Sequence, residues 1–520
     1  MMRRLRVGVL GACCLFLAGC SGDPAVCEAG LVRACPCGAS VEGSQRCAND
    51  GDLWQACECP DEPDVGVTRD AGSLTDAGET IGDAALSPDA ANVIDDGGAP
   101  LPDTGPTVLG ETYHVALGGD DGHAGSDQAP WATLEHAAHR VMAGDVVLIH
   151  EGRYAGFLVD GDPARDGRPD ARVLWRAAGD GDVIIDRPGP NNYRRGGGQN
   201  QVDITGTDYW TFDGLIFEGA TRAGIAILGF PDAPSQGVHV RNCIARDNAT
   251  WGIFTGFADD LLLEHNEVHG STEQHGIYVS NTSHRPVVRA NDIHDNIAAG
   301  LHLNGDLSAG GEGYVFEPLI EANVIYANGQ QGGSAINCDG CLDGVIQNNL
   351  LYAGHGSGIS LFVGNAAGPS TGNLVVNNTV LQAPDGRWAL NIQNNSTHNT
   401  VFNNVLWTGH GFRGAIALCG GCREGFVSDY NALRPRLSLD GDATVVGLDE
   451  WRAAGLDAHS VAIDVRADLA IDGAFHPLPG SPLVDQGVAE FADRSAPVLD
   501  LEGSPRPAAS GFDIGAFEAR

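Results

Sequence analysis

Between Gly224 and Leu418 the chain repeats one short hydrophobic pattern eight times: a small residue, an aliphatic one, a variable one, then usually a second apolar one. The copies begin at Gly224, Gly252, Gly276, Gly300, Ala335, Gly358, Ala389 and Ala415, and successive copies lie 23 to 35 residues apart. A second set keeps step with the first. Asn242, Asn266, Asn291, Asn323, Asn349, Asn378 and Asn404 are each followed two places later by an aliphatic residue. Short strands repeated at this period mark a solenoid, in which each repeat buries its apolar face against its neighbours.

A strand sends alternate side chains to opposite faces. The aliphatic pair of each copy must fill the interior, so Ile277, Leu301 and Ile336 point inward and Tyr278, His302 and Asn337 point out. Two places further along the same outer face stand Asn304 and Asp339, and Asn391 continues the outer column. Stacked strands sit about 4.8 Å apart, so these side chains form a patch the size of one or two sugar rings. Glu273 and His275 border it, and the insertion from Ser308 to Pro318 walls one side.

Other segments frame the repeats. Tyr113–Ala116 and Asp145–Ile149 read as strands, Trp131–Met142 as an amphipathic helix with Trp131, Leu134, Ala138 and Val141 on one stripe, and Tyr209–Leu215 as the start of the regular coils. The repeats of residues 207–431 resemble the β-helices of the pectate-lyase-like superfamily. That resemblance implies an all-β, right-handed parallel β-helix with three strands per coil. It also implies an asparagine stack between the second and third strands, and a glycan groove along the first. The opening strand–helix–strand order resembles the start of many bacterial β-helix proteins, where a helix covers the first coil. Residues 109–206 are read as this cap and the first irregular coils. Residues 432–520 lack the repeat; they resemble a segment that often follows β-helix repeats and are expected to cap the last coil.

Composition changes the picture in three ways. The chain of 520 residues has no lysine, so all 30 basic residues are arginine and no lysine base is available. A net charge of −38 argues against nucleic acid, and against a polyanionic glycan unless calcium or local arginines screen the field. The amino terminus carries Arg3, Arg4 and Arg6, an apolar run too short to span a bilayer, and Leu17-Ala18-Gly19-Cys20. This resembles a bacterial lipobox. It implies a signal peptide over residues 1–19, a lipid on Cys20 as the membrane anchor, and a place on the cell envelope or surface. Residues 20–59 hold Cys27, Cys35, Cys37, Cys47, Cys57 and Cys59, an even set expected to form disulfides outside the cytoplasm. Residues 60–108 are an acidic, Asp/Ala/Gly/Pro-rich linker expected to be disordered. The whole is expected to be a monomer.

The patch suggests chemistry on a polysaccharide. Abstracting the C5 proton of a uronic acid, as a lyase or epimerase does, needs a neutraliser for the carboxylate, a base, and an acid for a departing oxygen. Tyr278 and His302, one coil apart, are the proposed acid and base. Asn304, Asn337 and Asp339 hold the carboxylate or a cation, with Asn391, His275, Glu273, Arg387 and Trp388 as further substrate contacts. A hydrolase would need two carboxylic groups, for which Asp306 and Asp339 are available. A stalk or adhesion module that binds glycan without turnover is the non-enzymatic alternative. Asp160, Asp162 and Asp166 hint at calcium. Cys338 with Cys341 and Cys419 with Cys422 lie three coils apart, too far for one zinc ion, and are expected to form local disulfides; Cys243 is left as a buried thiol.

Overall fold

The computed structural model describes residues 110–192 and 198–519, together with the backbone of two strands, Val32–Pro36 and Glu42–Arg46. Those two strands pair antiparallel, Val32 opposite Arg46, within an amino-terminal unit of its own. The expectations for Cys20, for the side chains of the six-cysteine module and for the acidic linker fall outside the described residues.

The described residues from 110 to 462 form a parallel β-helix. Sheet A has 12 strands, from Thr112–Val115 through Trp210–Asp213 to Val427–Asp429. Sheet B also has 12, from Gly152–Ala155 to Val461–Ala462, and sheet C has 11, from Leu158–Asp160 to Leu437–Ser438. Each regular coil runs through C, A and B in turn, as in Ile277–Ser280, Val287–Arg289 and Asp292–His294. Neighbours in each sheet are parallel and the repeat register holds: Ile253, Ile277, Leu301, Ile336, Ile359, Leu390 and Ile416 stand over one another. All of them are fully buried. Removal of this aliphatic column from water is the main stabilising term of each coil.

The turn from sheet A to sheet B explains the asparagines. Asn266, Asn291, Asn323, Asn349, Asn378, Asn404 and Asn431 form one ladder in which each side-chain amide donates to the next Oδ1 at 2.9–3.1 Å. The same Oδ1 also accepts the backbone N–H of the preceding rung, as Asn349 does from Asn323 at 3.0 Å. Each rung follows a residue in the left-handed region, His265, Ala290, Ala322, Asn348, Asn377, Asn403 and Tyr430 among them. Asn242 belongs to that left-handed set, with φ 51, and bonds to Asp213 instead. The rung expected at Asn242 is occupied by Cys243, whose N–H donates to Asn266 at 3.0 Å and whose thiol accepts from Leu215. Two shorter ladders, not apparent from the repeat, line the other corners: Asn296 with Asn328, and Asn373 with Asn399.

The ends differ from expectation in detail. The capping helix is only Leu134–Ala138, N-capped by Thr133; Trp131 instead bridges Val115 in extended form. The expected apolar stripe is nonetheless buried. At the far end, Ala432–Leu433, Leu437–Ser438 and Val461–Ala462 add strands to sheets B and C, and the helix Leu448–Ala453 places Trp451 over the last coil. The remaining chain does not cap. It turns back along the outside, where Asn348 donates to Leu499 O, Asn377 to Asp513 O and Gly515 O, and Asn403 to Val488 O. Those asparagines sit in left-handed turns that leave their amides facing outward, and the returning strap satisfies them. A buried Arg506–Glu518 pair at 2.6 Å locks the strap.

Candidate functional site

The outer face of sheet C and the turns leading into it carry the chemistry. At one end is an aromatic strip. Trp251 stacks on Phe254 with centroids 4.4 Å apart, Tyr278 lies 5.6 Å from Phe254, and His302 lies 5.2 Å from Tyr278. The Arg222 guanidinium covers Trp251 and Phe254 at 4.8 and 4.6 Å. Trp251 donates its indole N–H to Gln274 Oε1 at 3.0 Å, which fixes the ring. The strip follows from register, since Phe254, Tyr278, His302 and Asn337 are consecutive partners across sheet C.

Next to it is a pair of histidines whose protons can be placed. The Ala299 N–H donates to His275 Nδ1 at 3.2 Å, so His275 carries its proton on Nε2. That nitrogen lies 3.0 Å from His302 Nδ1, which must accept. Burial lowers the pKa of both rings, that of His275 to about 4, so both are neutral and His302 holds its own proton on Nε2. His302 Nε2 and Asn304 Oδ1 are shut off from solvent and have no partner. Asn304 donates its amide to Tyr278 Oη at 2.9 Å, and burial pushes that phenol up to about 12.

The carboxylates are engaged elsewhere. Asp339 is buried and accepts three backbone amides, from Gly364, Asn365 and Ala366 at 2.7–3.3 Å, so it holds a loop. Asp306 caps the short turn Leu307–Ala309 through Ser308 N at 2.8 Å. Glu273 accepts from Thr250 and Asn391 from Gln393. Trp388, named above among the substrate contacts, is buried and gives its N–H to Asp442 at 2.7 Å, so it packs. Asp160, Asp162 and Asp166 do not converge on one point: Asp162 caps Pro163–Arg165 and pairs with Arg165, and Asp166 accepts from Asp208 N. Cys419 and Cys422 form a disulfide. Cys338 and Cys341, expected to bridge, are buried free thiols, with Cys338 at the second inward position of its copy.

Farther along, the turns into sheet C open a cleft of about 470 Å³ lined by Gly329, Gln330, Gly332, His355, Asp385, Arg387 and Arg413. His355 Nδ1 lies 2.8 Å from Asp385 Oδ2. This bond holds the Asp385 carboxyl below its usual range, so it accepts and His355 Nδ1 donates. The lone pair of neutral His355 is therefore on Nε2. Arg413 pairs with Asp442 at 3.0 Å, whereas exposed Arg387 makes no side-chain ion pair among the described residues. The sequence offered Arg387, but repeat register could not reveal the His355–Asp385 pair, because its members lie in turns whose length varies from coil to coil. A separate cavity of about 810 Å³ lies by the capping helix, where Asp121 and Glu135 are already occupied by internal donors.

Residues 190–309 match the family model described as a right-handed beta helix region. The fold resembles that of pectate lyase Pel9A, at 17% identity and TM-score 0.50, covering 79% of this chain and 97% of that one. XylC in complex with xylose follows at 12% identity and TM-score 0.48, covering 79% and 99%. A GH136 lacto-N-biosidase from Eubacterium ramulus has 13% identity and TM-score 0.43, covering 68% of each chain. No curated protein matches. The molecule is thus a right-handed parallel β-helix, the fold the repeats implied.

Proposed function

We propose that this protein binds an acidic polysaccharide along the outer face of sheet C and acts on it in the His355 cleft. The carrying observation is that an unpaired arginine, Arg387, and an Asp385–His355 dyad with a free Nε2 line one open cleft. Arginine suits a carboxylate by charge and by its planar fork of donors. A histidine oriented by a carboxylate is a general base near neutral pH. The solved carbohydrate-active β-helices of like fold are in keeping with a glycan ligand.

The reaction that fits is β-elimination at a uronate. Arg387 neutralises the sugar carboxylate. His355 Nε2 takes the C5 proton, the C4–O bond breaks, a C4–C5 double bond forms, and the imidazolium returns its proton to the departing oxygen. Replacement of the same proton on the opposite face would give epimerisation. His302 is not given the base role, since it holds a proton where a base needs a lone pair. Asp339 is not given the role of holding the sugar carboxylate or a cation, since backbone amides occupy its oxygens. Hydrolysis by Asp306 and Asp339 loses its support for the same reason.

A second reading rests on the aromatic strip. Trp251 and Tyr278, half-buried and backed by buried Phe254, offer a fixed aromatic edge for a sugar with no base beside it, as a non-catalytic glycan-binding or adhesion module requires. The lipid anchor on Cys20, a cell-surface location, a monomeric state and calcium as counter-ion for the substrate belong to the same proposal. They rest on the sequence alone.

The test is the full-length chain incubated with a panel of acidic and neutral polysaccharides, with and without calcium. Unsaturated ends absorbing in the ultraviolet, lost in His355→Ala with the polymer still retarded on a gel, support elimination. Retardation without unsaturated ends and without a change in uronate configuration leaves the binding module; no signal on any acidic polymer removes the proposal.

A further inference from the structure

We propose that His114, Asp127 and His150 form a binding site for a divalent transition-metal cation, zinc foremost, on the first coil. His114 lies on Thr112–Val115, the first strand of sheet A, and His150 directly follows the neighbouring strand Val146–Ile149. Asp127 lies in the loop between that first strand and Trp131. The three are held by backbone bonds: His114 N to Gly125 O at 2.7 Å, His150 N to Val115 O at 2.9 Å, and Ala129 N to Ser126 O at 3.0 Å. One ligand atom from each falls within 4.8 Å of the others.

Proton placement favours a cation. His150 Nδ1 lies 2.7 Å from Asp180 Oδ2, whose other oxygen accepts Glu151 N at 3.0 Å. Asp180 thereby turns the His150 Nε2 lone pair toward His114 Nδ1, 3.0 Å away. A carboxylate on the far nitrogen is the usual outer support of a metal-binding histidine. The ring centroids are 5.3 Å apart with the planes 22° from parallel, and the 3.0 Å between the two nitrogens lies along that line, so each nitrogen points at the other. With bonds of about 2.1 Å, two nitrogens on a tetrahedral zinc lie about 3.4 Å apart, so binding parts them by a few tenths of an ångström and turns both rings toward the ion. His114 would then carry its proton on Nε2. Asp127 Oδ1 lies 3.8 Å from His114 Nδ1, and its other oxygen accepts from Gln128. Two imidazoles and one carboxylate suit zinc and its neighbours and leave a position for water.

A second cluster fails this geometric test. Glu267, His269 and His294 also gather their ligand atoms. There, however, the imidazoles are stacked face to face, 4.7 Å apart and 6° from parallel. Their lone pairs run side by side, and no single point lies near both ring planes. That pair belongs to a stack continued by Tyr326 and Tyr352.

The experiment titrates zinc chloride into chelator-treated full-length protein by calorimetry, with cobalt(II) absorption reporting ligand type. Wild type is expected to bind one equivalent more than His150→Ala and than Asp127→Asn, whose exposed position makes it the safer variant for folding. The cobalt difference spectrum should show nitrogen and oxygen ligation without sulfur charge transfer. Asp180→Asn should weaken that equivalent about 10- to 100-fold while retaining it. His294→Ala should change nothing. Equal stoichiometry and affinity in wild type, His150→Ala and Asp127→Asn would overturn the site, as would loss of the equivalent in His294→Ala alone.

Discussion

Nδ1 of His355 and Oδ2 of Asp385 lie 2.8 Å apart, and the contact decides which nitrogen of that ring is free. A carboxylate accepts, so the imidazole offers its Nε2 lone pair. At His302 the neighbour is His275, itself fixed by the Ala299 amide, and the outcome is reversed. The two histidines thus take opposite proton states because of what sits on the other nitrogen.

Asp385→Asn should lower turnover on an acidic polymer about 10²- to 10⁴-fold while leaving KM nearly unchanged, because it removes the orienting carboxylate without touching substrate. Steady-state ultraviolet assays check this. A change in KM alone would assign Asp385 to binding.

Arg387→Ala should weaken binding of an acidic glycan and flatten its dependence on salt, with little effect on a neutral glycan. Gel retardation across an ionic-strength series reads both. The effect should come mainly from charge, since the side chain is exposed.

Trp251→Ala should reduce retention of any glycan that uses the strip by roughly 0.5–1.5 kcal/mol, about 2- to 10-fold. Trp388→Ala, by contrast, should act on stability, at roughly 3–5 kcal/mol, because that indole is buried. Thermal melts beside binding curves separate the two.

Depressed histidine pKa values have a signed consequence. The unfolded chain takes up protons near pH 6.5, whereas folded His275 does so only near pH 4. The contribution of His275 is therefore fully present above about pH 6.5 and is lost as pH falls toward 4. Asp166 and Asp292, each raised to about 6 by burial, act in the opposite sense. The check is the difference between wild type and His275→Gln in urea unfolding from pH 7 to 4: the variant should show the shallower decline.

Asn349→Ala should destabilise the helix by several kcal/mol. It strips the acceptor from Asn323 N and the donor to Ile320 O, two buried groups of the preceding coil, at about 1–3 kcal/mol each. Chemical denaturation measures it. A loss below 1 kcal/mol would mean that water enters the ladder.

The hydrophobic repeat determined the coil and which side chains of its first strand face out, because a period-two strand leaves no other way to bury Ile277, Leu301 and Ile336 together; three strands per coil came from the resemblance. The same register put Tyr278, His302 and Asn337 side by side. It could not say which asparagine is a rung, since Asn242 and Cys243 differ by one position and only the left-handed turn distinguishes them. Tertiary structure alone decided that Asp339 holds a loop, that Trp388 is interior, and that the chain beyond Arg466 returns along the outside as a strap. It alone joined His355 to Asp385 and His114 to His150. Those pairs come from turns and chain segments about thirty residues or more apart, and neither periodicity nor spacing records how stacked coils bring their turns together.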